Sequence, residues 1–255
     1  MAKGLRIAVL LFVLATVAVG AWQKRTLVTQ WKRSLDVVVY PINGDGQATT
    51  SAYIASLDSA SFHPIVEFAR REARRYGVDL ATPLDVKLGP RVASLPPAIR
   101  AGRAMPEVMF WSLRLRFWAW RNDDYPGPKP DVRVFALYYD PALTQRLEHS
   151  VGLKEGLIGI ARVFAAAHMT DENNVVIAHE ILHTFGATDK YERATGQPLV
   201  PDGLADPGQT PLYPQWMAEI MGGRIALSES HSDTPRSLDL ALIGPKTAAE
   251  INWQR

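Results

Sequence analysis

The stretch that most constrains this chain is residues 179–191, which reads H-E-I-L-H-T-F-G-A-T-D-K-Y. It continues an apolar pattern at helical spacing that predicts a helix over residues 172–185. Asp171 is a suitable N-cap for that helix, and Gly186 is a suitable residue to end it. Because the interior of this segment is strongly apolar, we expect its two histidines to be buried or half buried.

The two histidines are four residues apart, and residues i and i+4 lie on one face of a helix. His179 and His183 can therefore direct both imidazoles to one point, as two ligands of a zinc ion do. Glu180 lies about 100° around the helix, where it could hydrogen-bond a water on the metal and take its proton. Gly186 can adopt positive φ and turn the chain back, so that Asp189 becomes the candidate third ligand. Two histidines and one carboxylate leave a fourth position open, which is typical of catalytic zinc.

The alternative is a solvated helix that carries the H-E-x-x-H spacing by chance. Three features argue against it. The spacing falls on a predicted helix, that helix is apolar, and Gly186 and Asp189 follow where a third ligand would be delivered. The sequence therefore favours a metal site built from the two histidines and the aspartate.

The run H-E-I-L-H-T-F-G-A-T-D, residues 179–189, resembles the extended zinc signature of metzincin peptidases, in the variant where aspartate replaces the third histidine. Snapalysin-like and immune-inhibitor-type secreted metalloproteases carry that variant, often with a tyrosine two residues after the aspartate, as Tyr191 is here. The run A-E-I-M-G-G, residues 218–223, resembles the methionine-containing turn beneath the metal in that family, with Met221 as its methionine. The resemblance is local and covers residues 175–223.

The resemblance implies a Zn²⁺ ion held by His179, His183 and Asp189, with Glu180 as the general base and a protein or peptide as the substrate. The predicted function is therefore that of a zinc-dependent endopeptidase. Two alternatives stay open at this point: a membrane-tethered zinc-binding scaffold without activity, and a zinc hydrolase of a non-peptide amide such as a cell-wall crosslink. The intact Glu180 argues against the scaffold, which has no use for a general base.

Two tyrosines are further candidates for the site. Tyr191 and Tyr213 could polarise a substrate carbonyl or stabilise an oxyanion. Either could equally serve packing, and the sequence does not decide between these roles.

The rest of the chain predicts an α+β (mixed α/β) single domain with helices covering a small twisted sheet. Strands are predicted at residues 34–44, 84–88, 131–140 and 156–165, and helices at residues 59–76, 106–122 and 172–185 and within 235–253. The metzincin resemblance implies a mostly parallel sheet with an antiparallel edge strand, and residues 156–165 would be that edge strand. The aromatic side chains of residues 106–122 are expected to belong to the core.

The N-terminus predicts contact with a membrane. Lys3 and Arg6 precede an apolar run at residues 7–22, and Lys24 and Arg25 follow it. This pattern is typical of a signal peptide or signal anchor, although the run is slightly shorter than the roughly 20 residues of a full span.

The chain accordingly divides into an N-terminal segment at residues 1–25, a linker at 26–33 and a catalytic domain at 34–255. We expect the protein to be anchored in a bacterial-type cell envelope, with the catalytic domain outside the cytoplasm. If the N-terminal segment is cleaved, we expect the domain to be secreted.

Composition excludes several other classes of protein. The chain contains no cysteine, so disulfides and thiolate metal ligands are excluded. The formal net charge is +2, and no run of Lys and Arg interleaves with aromatic residues, so nucleic acid is not an expected partner. The sequence gives no indication of the oligomeric state.

Overall fold

The computed structural model describes residues 28–98, 105–144, 146–147, 151–153 and 156–254, together with Gly4. The predicted membrane segment, residues 7–22, lies outside that part of the chain. Among the described residues, no helix is both long enough and apolar enough to cross a membrane.

Five strands form the central sheet: β1 (Leu35–Asn43), β2 (Leu84–Leu88), β3 (Val132–Tyr139), β4 (Val151–Leu153) and β5 (Ile158–Phe164). Their order across the sheet is β2-β1-β3-β5-β4. The pairs from β2 to β5 are parallel, whereas β4 pairs antiparallel with β5 at the edge. The continuous apolar sequence of β1, L-D-V-V-V-Y-P-I-N, is typical of a parallel strand that is covered on both faces.

Within the described residues the α-helices are α1 (Ala48–Ser56), α2 (His63–Arg75), α3 (Met105–Arg121), α4 (Thr170–Phe185) and α5 (Pro245–Glu250). The region between α4 and α5 is mostly irregular. It contains the short strands β6 (Ala218–Glu219), β7 (Ile225–Ala226), β8 (Ser232–Asp233) and β9 (Ala241–Leu242).

Helices cover both faces of the sheet. Successive side chains of a strand point to opposite faces, so each strand contributes to both sides. Val37 and Val39 of β1 belong to the larger core cluster, which also contains residues of α2 and α4. Val38 and Tyr40 belong to a second cluster, which contains Trp111 of α3. Helices α2 and α4 therefore cover one face of the sheet, and α3 covers the other.

The predicted mixed α/β class and the mostly parallel sheet are confirmed. The helix predicted at residues 172–185 is α4, but it begins two residues earlier, with Met169 at the N-cap position. The assignment of Asp171 as the N-cap is therefore wrong. Asp171 instead lies in the first turn, where a negative charge stabilises the helix dipole.

The prediction that residues 156–165 form the edge strand is wrong. Strand β5 occupies most of this range and has a partner on each side, β3 in parallel and β4 antiparallel. The edge position belongs to β4, only three residues long, which is too short to give a period-2 pattern in the sequence.

The prediction that the aromatic residues of α3 belong to the core is also wrong for three of them. Phe110, Phe117 and Trp120 are 63%, 61% and 61% exposed, whereas Trp111 is 9% exposed. The helix rests on the sheet through one face only, and a sheet can cover only one stripe of a helix.

Candidate metal centre

The C-terminal half of α4 carries the two histidines, and neighbouring carbonyl groups orient both rings. The Nδ1 atom of His179 lies 2.8 Å from the carbonyl oxygen of Ile220. The Nδ1 atom of His183 lies 2.8 Å from the carbonyl oxygen of Ala187. A carbonyl oxygen only accepts hydrogen bonds, so both Nδ1 atoms carry the proton and donate it. In the neutral rings both Nε2 atoms are therefore left as acceptors or metal ligands.

Gly186 ends α4 and redirects the chain, as the sequence predicts. Its φ of 115° lies in the left-handed region, which a residue with a Cβ rarely adopts. The backbone N–H groups of Gly186 and Ala187 donate to the carbonyl of Leu182, which closes the helix. The chain then returns along the end of α4, and this reversal brings Asp189 to the two histidines.

Asp189 lies against both free ring nitrogens. Its Oδ1 atom is 3.3 Å from Nε2 of His179 and 2.9 Å from Nε2 of His183. Ligands about 2.0–2.2 Å from a tetrahedral zinc ion are about 3.3–3.6 Å from one another. The first distance matches that spacing, and the second is slightly shorter.

Two carboxylate oxygens at this point are buried and have no hydrogen-bond donor: Oδ1 of Asp189 and Oε2 of Glu180. Both rings carry their proton on Nδ1 and donate it to a carbonyl oxygen. The short distance from Asp189 to Nε2 of His183 is therefore a close approach and not an N–H···O hydrogen bond. Buried carboxylate oxygens rarely stay without a partner. A cation bound by Oδ1 of Asp189 and the two ring nitrogens would give that oxygen a partner, so this donor set fits a divalent metal.

Two carboxylates compete for the position of third ligand. One ligand atom each of His179, Glu180 and His183 lies within 4.8 Å of the others. We favour Asp189, because its oxygen touches both ring nitrogens, whereas Glu180 lies on the same helix about 100° from His179. One aspartate oxygen and two histidine nitrogens are donors of the N/O type that catalytic zinc sites use.

The environment shifts the pKa values of the two carboxyl groups in opposite directions. Burial raises the pKa of the Glu180 carboxyl above its ordinary value. Burial also acts on Asp189, but there His179 and His183 outweigh it and hold the pKa of that carboxyl well below its usual range. The pKa of Asp189 therefore lies below that of Glu180, and the Asp189 carboxylate is ionised at neutral pH.

The turn at residues 218–223 lies directly behind His179. Met221 is fully buried, and the preceding residue, Ile220, supplies the carbonyl that binds His179. The fully buried carboxylate of Glu219 fixes this turn by accepting from the backbone N–H groups of Met221 and Gly222 at 2.7 and 2.8 Å. Its other oxygen accepts from the hydroxyl of Thr247 at 2.6 Å. Glu219 is not among the residues predicted for the site, although an acid in the apolar run A-E-I-M-G-G is a signal of such a role.

The loop that carries Asp189 is fixed on both sides. The backbone N–H of Lys190 donates to the carbonyl of Met221 at 2.8 Å, which joins the loop to the turn. The side chain of Lys190 is buried and binds Glu250 of α5, as does Thr188. The sequence gives no indication of these contacts, because Glu250 lies far along the chain from its partners.

The two candidate tyrosines differ in their relation to the site. The ring of Tyr191 lies 6.4 Å from the ring of His179, measured between centroids. Burial and the charges of Asp189 and Glu180 raise the pKa of its hydroxyl to about 12, so it stays protonated and can donate. In the part of the chain that the structure describes, no hydrogen bond or ring contact joins Tyr213 to the residues of the site.

Comparison with known proteins identifies no family for this chain. No protein-family model matches it, and no curated protein does. Among solved structures, a chain described as "Structure of a chaperone-substrate complex" aligns with 12% sequence identity and a TM-score of 0.42. The alignment covers 86% of the present chain but only 33% of that chain. A similarity of this size supports no conclusion, and the resemblance of residues 179–189 to the metzincin signature stays a prediction.

Proposed function

We propose that this protein is a zinc-dependent endopeptidase, with zinc held by His179, His183 and Asp189. The observation that carries the proposal is the convergence of both Nε2 atoms on Oδ1 of Asp189, a buried oxygen without a hydrogen-bond donor. A second buried and unpartnered oxygen, on Glu180, supplies the general base that peptide hydrolysis requires.

When bound, zinc supplies Lewis-acid polarisation of a carbonyl group and of water. The remaining steps belong to the protein. Glu180, whose pKa burial raises, accepts a proton from the attacking water at its free Oε2 and passes it to the leaving amine. The carbonyls of Ile220 and Ala187 hold the histidine rings in one tautomer and one orientation throughout.

A peptide substrate would extend the central sheet at its edge. Strand β4 is the last strand of the sheet in the described part of the chain, where it pairs with β5 on one side only. Added strands of this kind align a peptide through main-chain hydrogen bonds, which do not depend on its sequence. The edge role that the sequence assigned to residues 156–165 therefore passes to β4 in this proposal.

The location outside the cytoplasm is part of the same proposal and rests on the sequence of residues 7–22. A charged start followed by an apolar run is the pattern of an exported or anchored protein. The domain would then act in a bacterial-type cell envelope, or in the medium if the segment is cleaved.

The test combines metal analysis with hydrolysis by the full chain. We expect bound zinc by elemental analysis, cleavage of an unfolded protein such as casein, and loss of cleavage with a chelator that added zinc reverses. Glu180→Gln is expected to keep its zinc and to lose about 10²–10⁴-fold in rate. Glu229→Gln, the same change at an exposed loop position, is the matched control.

Full activity of Glu180→Gln, or cleavage that a chelator leaves unchanged, would contradict the proposal. Bound zinc without cleavage of any member of a peptide library would also overturn it. That last result would favour a hydrolase of another amide, or a scaffold.

A further inference from the structure

Helix α3 presents a stripe of large apolar side chains to the outside of the molecule. The members of this α3 stripe are Met109, Phe110, Leu113, Phe117 and Trp120, which are 57–65% exposed. At about 100° per residue they fall within an arc of about 100° on one side of the helix. The stripe is therefore continuous along the helix.

The α3 stripe is not the face that packs on the sheet. That face carries Trp111, Leu115 and Ala119, which are buried in the second core cluster. The helix is thus apolar on two opposite sides, and only one of them is covered within the described residues. A continuous apolar patch on a protein surface marks an interaction site when it is large.

Basic side chains border the stripe. Helical spacing places Arg114 and Arg121 along one border and Arg116 along the other. Arg114 and Arg121 are exposed. Arginine side chains at the border of an apolar surface can lay their stems along it and extend their charged groups toward water. Aromatic residues such as tryptophan are also common at the boundary between lipid and water.

The charge of α3 is positive. Its sequence contains three arginines, Arg114, Arg116 and Arg121, and one acidic residue, Glu107. Of the two aspartates that follow the helix, Asp123 is turned inward to Arg133 at 3.3 Å, and Asp124 is exposed. A positive, aromatic and apolar helix face matches the chemistry of an anionic lipid surface better than that of an acidic protein.

We propose that the α3 stripe docks on the surface of an anionic bilayer. The helix lies in the interface, with its apolar side chains in the lipid and its arginines at the head groups. The apolar segment at residues 7–22 is an independent indication that this chain meets a membrane. The proposal does not depend on the zinc site, and failure of either leaves the other intact.

The absence of cysteine allows a direct test in the full chain. A single Leu113→Cys variant is labelled with an environment-sensitive fluorophore, and a Ser230→Cys variant, exposed in the turn between β7 and β8, is the control. Each is reconstituted with phosphatidylcholine vesicles, with and without phosphatidylglycerol. Quenching by iodide from the aqueous phase reports whether the label is shielded.

We expect the label at position 113 to be quenched several-fold less with phosphatidylglycerol vesicles than without vesicles, and the label at position 230 to stay accessible. The double change Arg114→Gln and Arg121→Gln should weaken docking by about fivefold for each arginine and restore the quenching.

Three results would overturn the proposal. Equal quenching at positions 113 and 230 on anionic vesicles shows that the stripe does not enter the lipid. Complete shielding of the label without vesicles would show that another part of the chain covers the stripe. Shielding without vesicles that increases with protein concentration would show that a second copy of the chain covers the stripe. Circular dichroism of each variant confirms that the exposed substitutions leave the fold intact.

Discussion

The carboxylate of Glu250 accepts a hydrogen bond from the side-chain Nζ of Lys190 at 2.8 Å. It also accepts from the backbone N–H of Thr188 at 2.9 Å. One carboxylate from the last helix thereby holds both chain neighbours of Asp189, the proposed third ligand. The position of Asp189 depends on a residue that lies far from it in sequence.

Replacing Glu250 with glutamine should loosen this loop. A buried ion pair that loses one partner costs about 3–5 kcal/mol, and the Glu250 side chain is 20% exposed, so we expect a loss of about 2–3 kcal/mol in the free energy of unfolding. Zinc affinity should fall by about 10–100-fold, as it does when an outer partner of a ligand is lost. Urea unfolding and competition with a chromophoric chelator measure the two effects.

The matched control is Glu229→Gln, which makes the same chemical change on an exposed loop. An unchanged zinc affinity in Glu250→Gln would show that Asp189 keeps its place without α5.

The contribution of Glu250 should disappear in acid. Burial raises the pKa of this carboxyl, but the hydrogen bonds from Lys190 and Thr188 outweigh it and leave the pKa below the ordinary value. A group with a lowered folded-state pKa stabilises the fold above its unfolded pKa, here about 4.3, and loses that effect as the pH falls through the folded value. The stability difference between wild type and Glu250→Gln should therefore be constant at neutral pH and shrink below about pH 4.

Urea titrations of both proteins at a series of pH values give this difference directly. A difference that stays constant into strong acid would show that the Glu250 charge contributes nothing to the fold.

Comparison of Asp189→Ala with Glu180→Gln should identify the third ligand. If Asp189 binds zinc, its removal should lower the affinity by more than the roughly 10–100-fold expected from an outer contact, while Glu180→Gln binds nearly as well as wild type. Zinc stoichiometry and chelator competition on both variants decide the question. The reverse order of affinities would assign the ligand to Glu180 and leave the reaction without its general base.

Gly186→Ala should move Asp189 away from the histidines. A side chain at a φ of 115° costs about 1–3 kcal/mol, and the chain can relieve that strain by changing the path of the loop. Gly77→Ala is the control, since Gly77 also has a positive φ after the end of a helix, but that helix is α2 and not α4. Both variants should lose stability in urea, and only Gly186→Ala should lose zinc affinity. Equal zinc affinity in the two variants would contradict the role of this turn.

The part of the site that sequence could predict is the part that is local. His179, Glu180 and His183 share one helix, and their relation follows from helical spacing alone. The positive φ of Gly186 was predicted for the same reason, since helix ends have recognisable residues. These predictions needed no knowledge of the rest of the fold.

The contacts that sequence could not predict are long-range. Ile220 lies 41 residues from His179, and Glu250 lies 60 residues from Lys190, and no periodic pattern relates such positions. The same limit explains the error at β4, since the pairing of three residues depends on where β5 already lies. For α3, the apolar pattern was visible, but only the structure shows that the sheet covers one of its two apolar sides.

The proposed metal ligands and some of the residues that position them lie in different parts of the sequence, so they are synthesised at different times. Every proposed ligand lies within residues 179–189, whereas two of the residues that hold them in place, Ile220 and Glu250, follow later in the chain. A growing or translocating chain emerges from its N-terminus, so the ligands appear before their supports. A partly synthesised molecule would carry every proposed ligand but would lack the contacts that Ile220 and Glu250 provide. We therefore expect hydrolytic competence to arise only with the last helix, so that an unfinished copy is harmless to the machinery that makes it.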